Sequence, residues 1–198
     1  MSEDDQEPLA ALLRLHAEAT SAGDAAADTM ALATATSDGR PSLRYVSFRG
    51  LSDGGGARGL RFFTNLDSRK AGELAANPRA AGLFLWTSVG VQARVEGTVA
   101  PLDDAACDGY FAARPRGHQL AAWASPQSRP LAHAALLDAY AACERRFAGT
   151  AVPRPPRWGG FSLIPRRIEL QWRGENRLHR RLAYTAEETG WRCTPLGP

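Results

Sequence analysis

Residues 89–99, VGVQARVEGTV, alternate so cleanly that little besides a half-buried β-strand can hold them. Val89, Val91, Ala93 and Val95 point one way, and Gln92, Arg94 and Glu96 point the other. Other β-rich runs surround this strand. TMALATATSDGRPSLRYVSFRG reads as two strands about an SDGR turn. LRFFTN, FSLIPRRIELQW and two final runs near 178–185 and 190–194 add further strands. RAAGLFLWTS is mostly apolar and predicts a strand buried on both faces. Helical patterns are grouped apart. Leu9, Leu12, Leu13 and His16 keep helical spacing over 8–21, starting at Pro8. SRKAGELAANP predicts a short helix stopped before Pro78. Residues 102–148 read as helices broken at ARPRG and near SPQSRP. Many strands with segregated helices predict an α+β fold built on an antiparallel barrel, one domain over 1–198 with 1–7 disordered.

The composition limits what such a chain does. Hydrophobic residues make up 44% and charged residues 23%, the balance of a soluble globular protein. A chain of 198 residues buries a full core without metal or disulfides. Cys107, Cys143 and Cys193 are odd in number, far apart and without C-x-x-C spacing, so neither structural zinc nor a disulfide framework is expected. A reducing cytoplasm fits that usage. The start, MSEDDQEP, is acidic and unlike a signal peptide, and no apolar run approaches the roughly 18 residues of a membrane helix. A net charge of +3, carried by scattered arginines, is too weak to indicate nucleic acid. GLSDGGGARG lies between strands with no helix after it, and reads as a turn in place of a phosphate loop.

Of 24 Lys and Arg residues only Lys70 is lysine. Ser68 is a plausible N-cap, which puts Arg69 and Lys70 in the first turn of a helix and outside the core. Cations there oppose the helix dipole by about 0.3–1 kcal/mol each. Either that end is solvated, or it binds an anion such as phosphate. In RLHRR, strand spacing puts Arg177, His179 and Arg181 on one face and Leu178 and Arg180 on the other. Tyr110 and Arg114, four apart, would share a helix face. Taken alone, each cluster also reads as an ordinary surface, as do Gln92 and the Gln127–Ser128 pair. Catalytic triads, metalloprotease, EF-hand and Walker motifs are missing, and histidines 16, 118, 133 and 179 are scattered, so no metal is expected. With little acid–base machinery and several anion-binding clusters, a phosphorylated cofactor would carry the chemistry.

Together, and in this order, LATATSDGRPSLR, FFTNLDSRKAGEL, NPRAAGLFLW, VQARVEG, YFAARPRGHQLAAWASPQS, PRWGGF and RLHRR resemble the pyridoxamine 5'-phosphate oxidase family. The resemblance runs from about residue 8 to the C-terminus. It implies an FMN-binding split β-barrel, usually a homodimer with FMN at the subunit interface. The implied cofactor site is Arg44, Tyr45, Val46, Ser47, Phe48, Arg49, Phe63, Thr64, Arg69, Lys70, Gln92, Gln127, Ser128, Gln171, Trp172 and Arg181. The implied substrate side is Arg49, Tyr110, Arg114, His118, Arg177 and His179, with Arg177 and His179 nearest the reaction. The family passes a hydride from a substrate carbon to the flavin, and dioxygen reoxidises the flavin with release of hydrogen peroxide.

This chain departs from the family pattern mainly on the substrate side. Arg49 replaces a usual Lys, His118 a Ser and Arg180 an Asp. The Trp expected at 171 stands at 172, which in a strand without a bulge turns it to the opposite face. The leading expectation is oxidation of pyridoxamine or pyridoxine 5'-phosphate. The phenazine-pathway oxidases of the same family, which aromatise a reduced ring, are the alternative. A non-catalytic flavin binder and a deazaflavin-dependent reductase are further ones.

Overall fold

The computed structural model describes residues 7–52 and 58–198, so the expectations for residues 1–6 and for the centre of the Gly-rich link fall outside the described residues. Helix α1 (Pro8–Ser21) begins where its proline predicts and buries Leu9, Leu12, Leu15 and Ala19 along one stripe. Strands β1 (Thr29–Ala35) and β2 (Pro41–Ser47) form the expected hairpin, paired from Thr29↔Ser47 to Ala35↔Pro41. β3 (Leu51–Ser52), β4 (Gly59–Asn65), α2 (Arg69–Ala76), β5 (Arg79–Trp86) and β6 (Val91–Pro101) follow. Then come α3 (Asp104–Ala112), α4 (Arg116–Ala124), α5 (His133–Arg146), β7 (Trp158–Trp172), β8 (Arg180–Ala186) and β9 (Trp191–Leu196).

The sheet is antiparallel, in the order β2-β1-β5-β6-β7-β4-β3, with β8 on β7 and β9 on β8. β2 and β3 stand at opposite ends of that order, yet only residues 48–50 separate them in the chain. The sheet must therefore curl until its ends meet. Arg49 N–H donates to the Arg61 carbonyl and Arg61 N–H to the Gly50 carbonyl, each at 2.9 Å, across that junction. The long strand β7 serves two neighbours on one side: Trp158–Leu163 pair with β4, and Arg167–Trp172 pair with β8. A bulge at Glu96/Gly97 lets β6 bend along it. Gly97 is needed there, since a Cβ would lie 2.0 Å from the Ile164 carbonyl oxygen.

The barrel core gathers Leu12, Met30, Leu32, Leu60, Phe62, Phe84, Trp86, Val95, Ile168 and Tyr184. Trp86 is fully buried and its indole N–H donates to the Ala27 carbonyl at 3.0 Å. Each such aliphatic or Phe side chain contributes about 1.5–3 kcal/mol of burial. A second cluster, Phe111, Leu120, Phe147, Val152 and Trp158, packs the helices α3 to α5 against the start of β7.

Two expectations fail here. β5 is not buried on both faces: Phe84 and Trp86 are inside, while Leu83 and Leu85 are exposed, Leu85 by 59%. Apolar residues on its outer face misled the reading, because composition alone does not say what covers a face. RLHRR is not strand throughout. A 3₁₀ turn at Glu175–Arg177, with Asn176 and Arg177 at positive φ, precedes β8, which begins only at Arg180. The alternation drawn for Arg177 and His179 therefore does not hold.

Candidate functional site

The site is built first at the exit of β4. Thr64 and Asn65 end that strand, the chain turns, and α2 starts at Arg69. Ser68 occupies the N-cap with extended backbone, but its side chain makes no capping hydrogen bond. Its hydroxyl accepts instead from the Lys70 ammonium at 3.2 Å. Lys70 is not on the surface as its position at a helix start suggested. It is 7% exposed, and its Nζ also donates to Thr64 Oγ1 at 2.8 Å and Gln127 Oε1 at 3.1 Å. None of these acceptors carries charge. Burial, together with the positive charge of Arg44, pushes the Lys70 pKa down to about 8. A buried ammonium held by neutral oxygens is a site for an anion.

Arg44 and Arg69 flank it. Both bond Glu73, Arg69 through Nε at 2.8 Å and Arg44 through a terminal nitrogen at 3.3 Å. Arg44 also donates to the Leu32 carbonyl, Thr34 and Ser42. These cations, with Tyr45, Val46, Phe63, Thr64, Gln127 and Ser128, line a cavity of about 610 Å³. Ser128 holds a φ of 68°, a left-handed backbone rare outside glycine.

A second cavity, of about 410 Å³, adjoins the first and shares Phe63, Arg114, His118 and Trp158 with it. Ser47, Arg49, Tyr110, Ala113 and Pro115 complete its wall. Phe63 stacks on Tyr110 with ring centroids 4.0 Å apart and on Trp158 at 5.4 Å. The Tyr110 hydroxyl accepts from Arg49 Nε at 2.6 Å, and Arg49 NH1 meets Asp28 Oδ2 at 2.6 Å. His16 Nε2 lies 2.8 Å from the other Asp28 oxygen. Arg114 does not reach this wall by helical spacing, since α3 ends at Ala112. Its guanidinium lies 4.9 Å over the Trp158 ring, and its NH1 is buried without a partner among the described residues. Burial lowers its pKa.

The remaining expected residues lie elsewhere. Gln92 on β6 faces Gln171 on β7, which faces Arg181 on β8. Directly opposed residues share a sheet face, so Gln171, and not Trp172, joins Gln92. The register between Val91–Glu96 and Arg167–Trp172 runs without a bulge, so the shifted tryptophan stays turned away. Trp172 packs against the core, with the Arg180 guanidinium 4.6 Å over its ring. Arg181 bonds Glu169 through Nε and NH2 at 3.1 and 2.8 Å, and Arg94 reaches the same carboxylate at 2.9 Å. Gln92, Gln171 and His179 line a cavity of about 220 Å³ that shares no residue with the first. Arg177 and His179 line the neighbouring loop cavity. Phe48 stands apart: its ring is 2% exposed, packed edge-on to Phe84, so its side chain belongs to the core.

One protomer thus assembles an anion cavity with an adjoining aromatic and cationic cavity, and holds the Gln92–His179 group separately. The sequence pattern described as "Pyridoxamine 5'-phosphate oxidase" matches residues 17–142, and that of the "Pyridoxine 5'-phosphate oxidase C-terminal dimerisation region" matches residues 158–198. The chain belongs to the pyridoxamine 5'-phosphate oxidase family. It is 51% identical over 192 residues to a pyridoxine/pyridoxamine 5'-phosphate oxidase of Sphingopyxis alaskensis, covering 96% of this chain and 86% of the relative. It is 48% identical to one of Rubrobacter xylanophilus, covering 98% and 88%. Among solved structures, PhzG of Burkholderia lata, in complex with tetrahydrophenazine-1-carboxylic acid, superposes with a TM-score of 0.91 at 35% identity, covering 100% of this chain and 98% of that one. A pyridoxamine 5'-phosphate oxidase-related FMN-binding protein of Nostoc punctiforme, 21% identical, shares the fold with a TM-score of 0.76, covering 93% and 96%.

As a member of this family the protein is an FMN-dependent oxidoreductase on the expected split barrel. The residues present fit FMN: the buried Lys70 ammonium without a carboxylate partner, beside Arg44 and Arg69, suits a phosphate dianion. Among the described residues no group of three or more His, Cys, Asp or Glu could hold a metal ion, and no helix is long and apolar enough to cross a membrane. Glu73, Asp28 and Trp158 are site residues that sequence reasoning missed. Glu73 left a signal in its i+4 spacing from Arg69, Trp158 stands in the PRWGGF motif, and Asp28 left none.

Proposed function

We propose that the protein oxidises pyridoxamine or pyridoxine 5'-phosphate, with dioxygen as electron acceptor and hydrogen peroxide as product. The carrying observation is Arg114, which lines both the Lys70 cavity and the cavity beside it and whose buried NH1 has no hydrogen-bond partner among the described residues. A second anion site beside the cofactor phosphate site suits a substrate that itself carries phosphate. In this reading Arg44, Arg69 and Lys70 hold the FMN phosphate, with Thr64, Gln127 and Ser128 beside them. Arg49, Tyr110, Arg114 and His118 hold the substrate phosphate. FMN, when bound, supplies the two-electron acceptor for the substrate's carbon–hydrogen bond. The protein's residues bind, orient and exclude water.

The working form in this reading is a homodimer with FMN between subunits. Two observations support it. The Gln92, Gln171 and His179 cavity is separate from the Lys70 cavity within one protomer. The outer face of β2 and β5 exposes Leu43, Tyr45 and Leu85 by 70%, 77% and 59%. A partner would cover that apolar face and bring its Gln92, Gln171, Arg177, His179 and Arg181 to the flavin. The family region matched at 158–198 is described as a dimerisation region.

A second reading is oxidation of a reduced ring such as a dihydrophenazine precursor. The likeness to PhzG over the whole chain favours it. Higher identity to the pyridoxine/pyridoxamine 5'-phosphate oxidases favours the first. Peroxide release by the FMN-loaded protein on each substrate decides between them. No turnover of either vitamin B6 phosphate would refute the leading proposal.

A further inference from the structure

Glu73 lies on α2 one turn beyond Arg69 and is 6% exposed. Its Oε1 accepts from Arg69 Nε at 2.8 Å. Its Oε2 accepts from Thr34 and Ser42 hydroxyls and from Arg44 at 3.3 Å. One carboxylate therefore ties α2 to β1 and β2 and holds both guanidinium groups of the anion cavity. Glu73 itself does not line that cavity, and no other described Asp or Glu does. It stands behind the cations.

Its two effects on a bound anion have opposite signs. The negative charge subtracts from the positive potential of the cavity, which weakens binding of a dianion. The hydrogen bonds fix the two guanidinium groups in advance, which strengthens it. Arg69 decides the balance. Its side chain is 62% exposed, and the Nε bond to Glu73 is its one tether among the described residues. Without that bond it is a loose surface arginine with its rotamer freedom restored. Bonding through Nε leaves both terminal nitrogens for a two-pronged grip on phosphate.

We propose that Glu73 is a positioning residue for the FMN phosphate, orienting Arg69 and Arg44 so that the cavity prefers a phosphorylated flavin to riboflavin. This rests on the reading that Arg44, Arg69 and Lys70 hold that phosphate. Burial alone would raise the Glu73 pKa, but hydrogen bonds from Ser42, Thr34 and Arg69 bring it down to about 2, so the charge persists at any working pH.

The test is titration of the full-length, FMN-free protein with FMN and with riboflavin, followed by flavin fluorescence. Glu73→Gln should weaken FMN by about tenfold or more, the scale of a lost charge-assisted hydrogen bond. Riboflavin affinity should stay within about twofold, since it makes no phosphate contact. FMN affinity that is unchanged or tighter would show that the carboxylate acts only through its charge and overturn the inference. Equal weakening of both flavins would also overturn it, by reducing Glu73 to a structural role. Glu73→Asp covers the case in which the glutamine variant does not fold. It keeps the charge but is one methylene too short to span both arginines, so the same selective loss is expected, and unchanged FMN affinity would count against the proposal. Wild-type protein that does not prefer FMN to riboflavin would remove the phosphate site, and the inference with it.

Discussion

Replacing Lys70 by methionine should stabilise the FMN-free protein while crippling its hold on the cofactor. Burial and Arg44 lower the Lys70 pKa from 10.5 to about 8. That gap of about 2.5 units, at ~1.36 kcal/mol each, makes the charged form about 3 kcal/mol less favourable in the fold than in the unfolded chain. Between pH 8 and 10.5 the unfolded chain keeps a proton that the folded protein has released, so Lys70 makes stability rise with pH across that window. Below pH 8 both states are protonated and the full penalty is present. Methionine has similar length and no charge. Losing the hydrogen bonds to Thr64, Ser68 and Gln127 offsets about 1–2 kcal/mol, the more modestly because Thr64 still donates to Gln127 at 3.0 Å. The variant should gain about 1–2 kcal/mol at pH 7, lose that advantage between about pH 9 and 9.5, and be less stable than wild type by about 1 kcal/mol at pH 10.5. Urea unfolding of the FMN-free protein at both pH values, at one fixed protomer concentration, measures it. With saturating FMN the order should reverse, because the dianion restores the ammonium's partner. A variant less stable than wild type at pH 7, or a difference that ignores pH, would refute the reasoning.

Other outcomes follow from the same geometry. Lys70→Arg should weaken FMN binding, because Thr64, Ser68 and Gln127 close around a point charge and leave no room for a planar fork; undiminished affinity in a flavin titration would refute this. Arg114→Met should raise KM for a phosphorylated substrate by about tenfold or more with FMN affinity kept, read from steady-state peroxide release. Asp28→Asn should loosen Arg49 from Tyr110 and raise the same KM several-fold without changing FMN affinity. Gly97→Ala should lower stability by about 1–3 kcal/mol in thermal unfolding, since a Cβ would collide with the Ile164 carbonyl at the bulge.

Much of the local architecture was legible in the sequence. Pro8 marked the start of α1, the SDGR turn marked the β1–β2 hairpin, and alternation from Val91 to Glu96 gave both faces of β6. These features depend on backbone periodicity and turn chemistry, which neighbouring residues set. Of the cofactor residues that the family resemblance implied, Arg44, Tyr45, Val46, Phe63, Thr64, Arg69, Gln127 and Ser128 line one cavity with Lys70, while Gln92, Gln171, Trp172 and Arg181 do not. Other features depend on contacts between distant segments. Apolar composition could not show that Leu83 and Leu85 face outward, because exposure depends on which strands close the barrel. Helix position could not show that Lys70 is buried, because Gln127, 57 residues away, covers it. Nor could spacing show that Glu73 reaches Thr34 and Ser42 on strands far earlier in the chain. Local sequence marked most of the strands and helices, RLHRR apart, and which cations begin α2. Tertiary closure decided which of those cations are buried, which carboxylate holds them and which faces stay open, since burial and charge pairing arise only when remote segments meet.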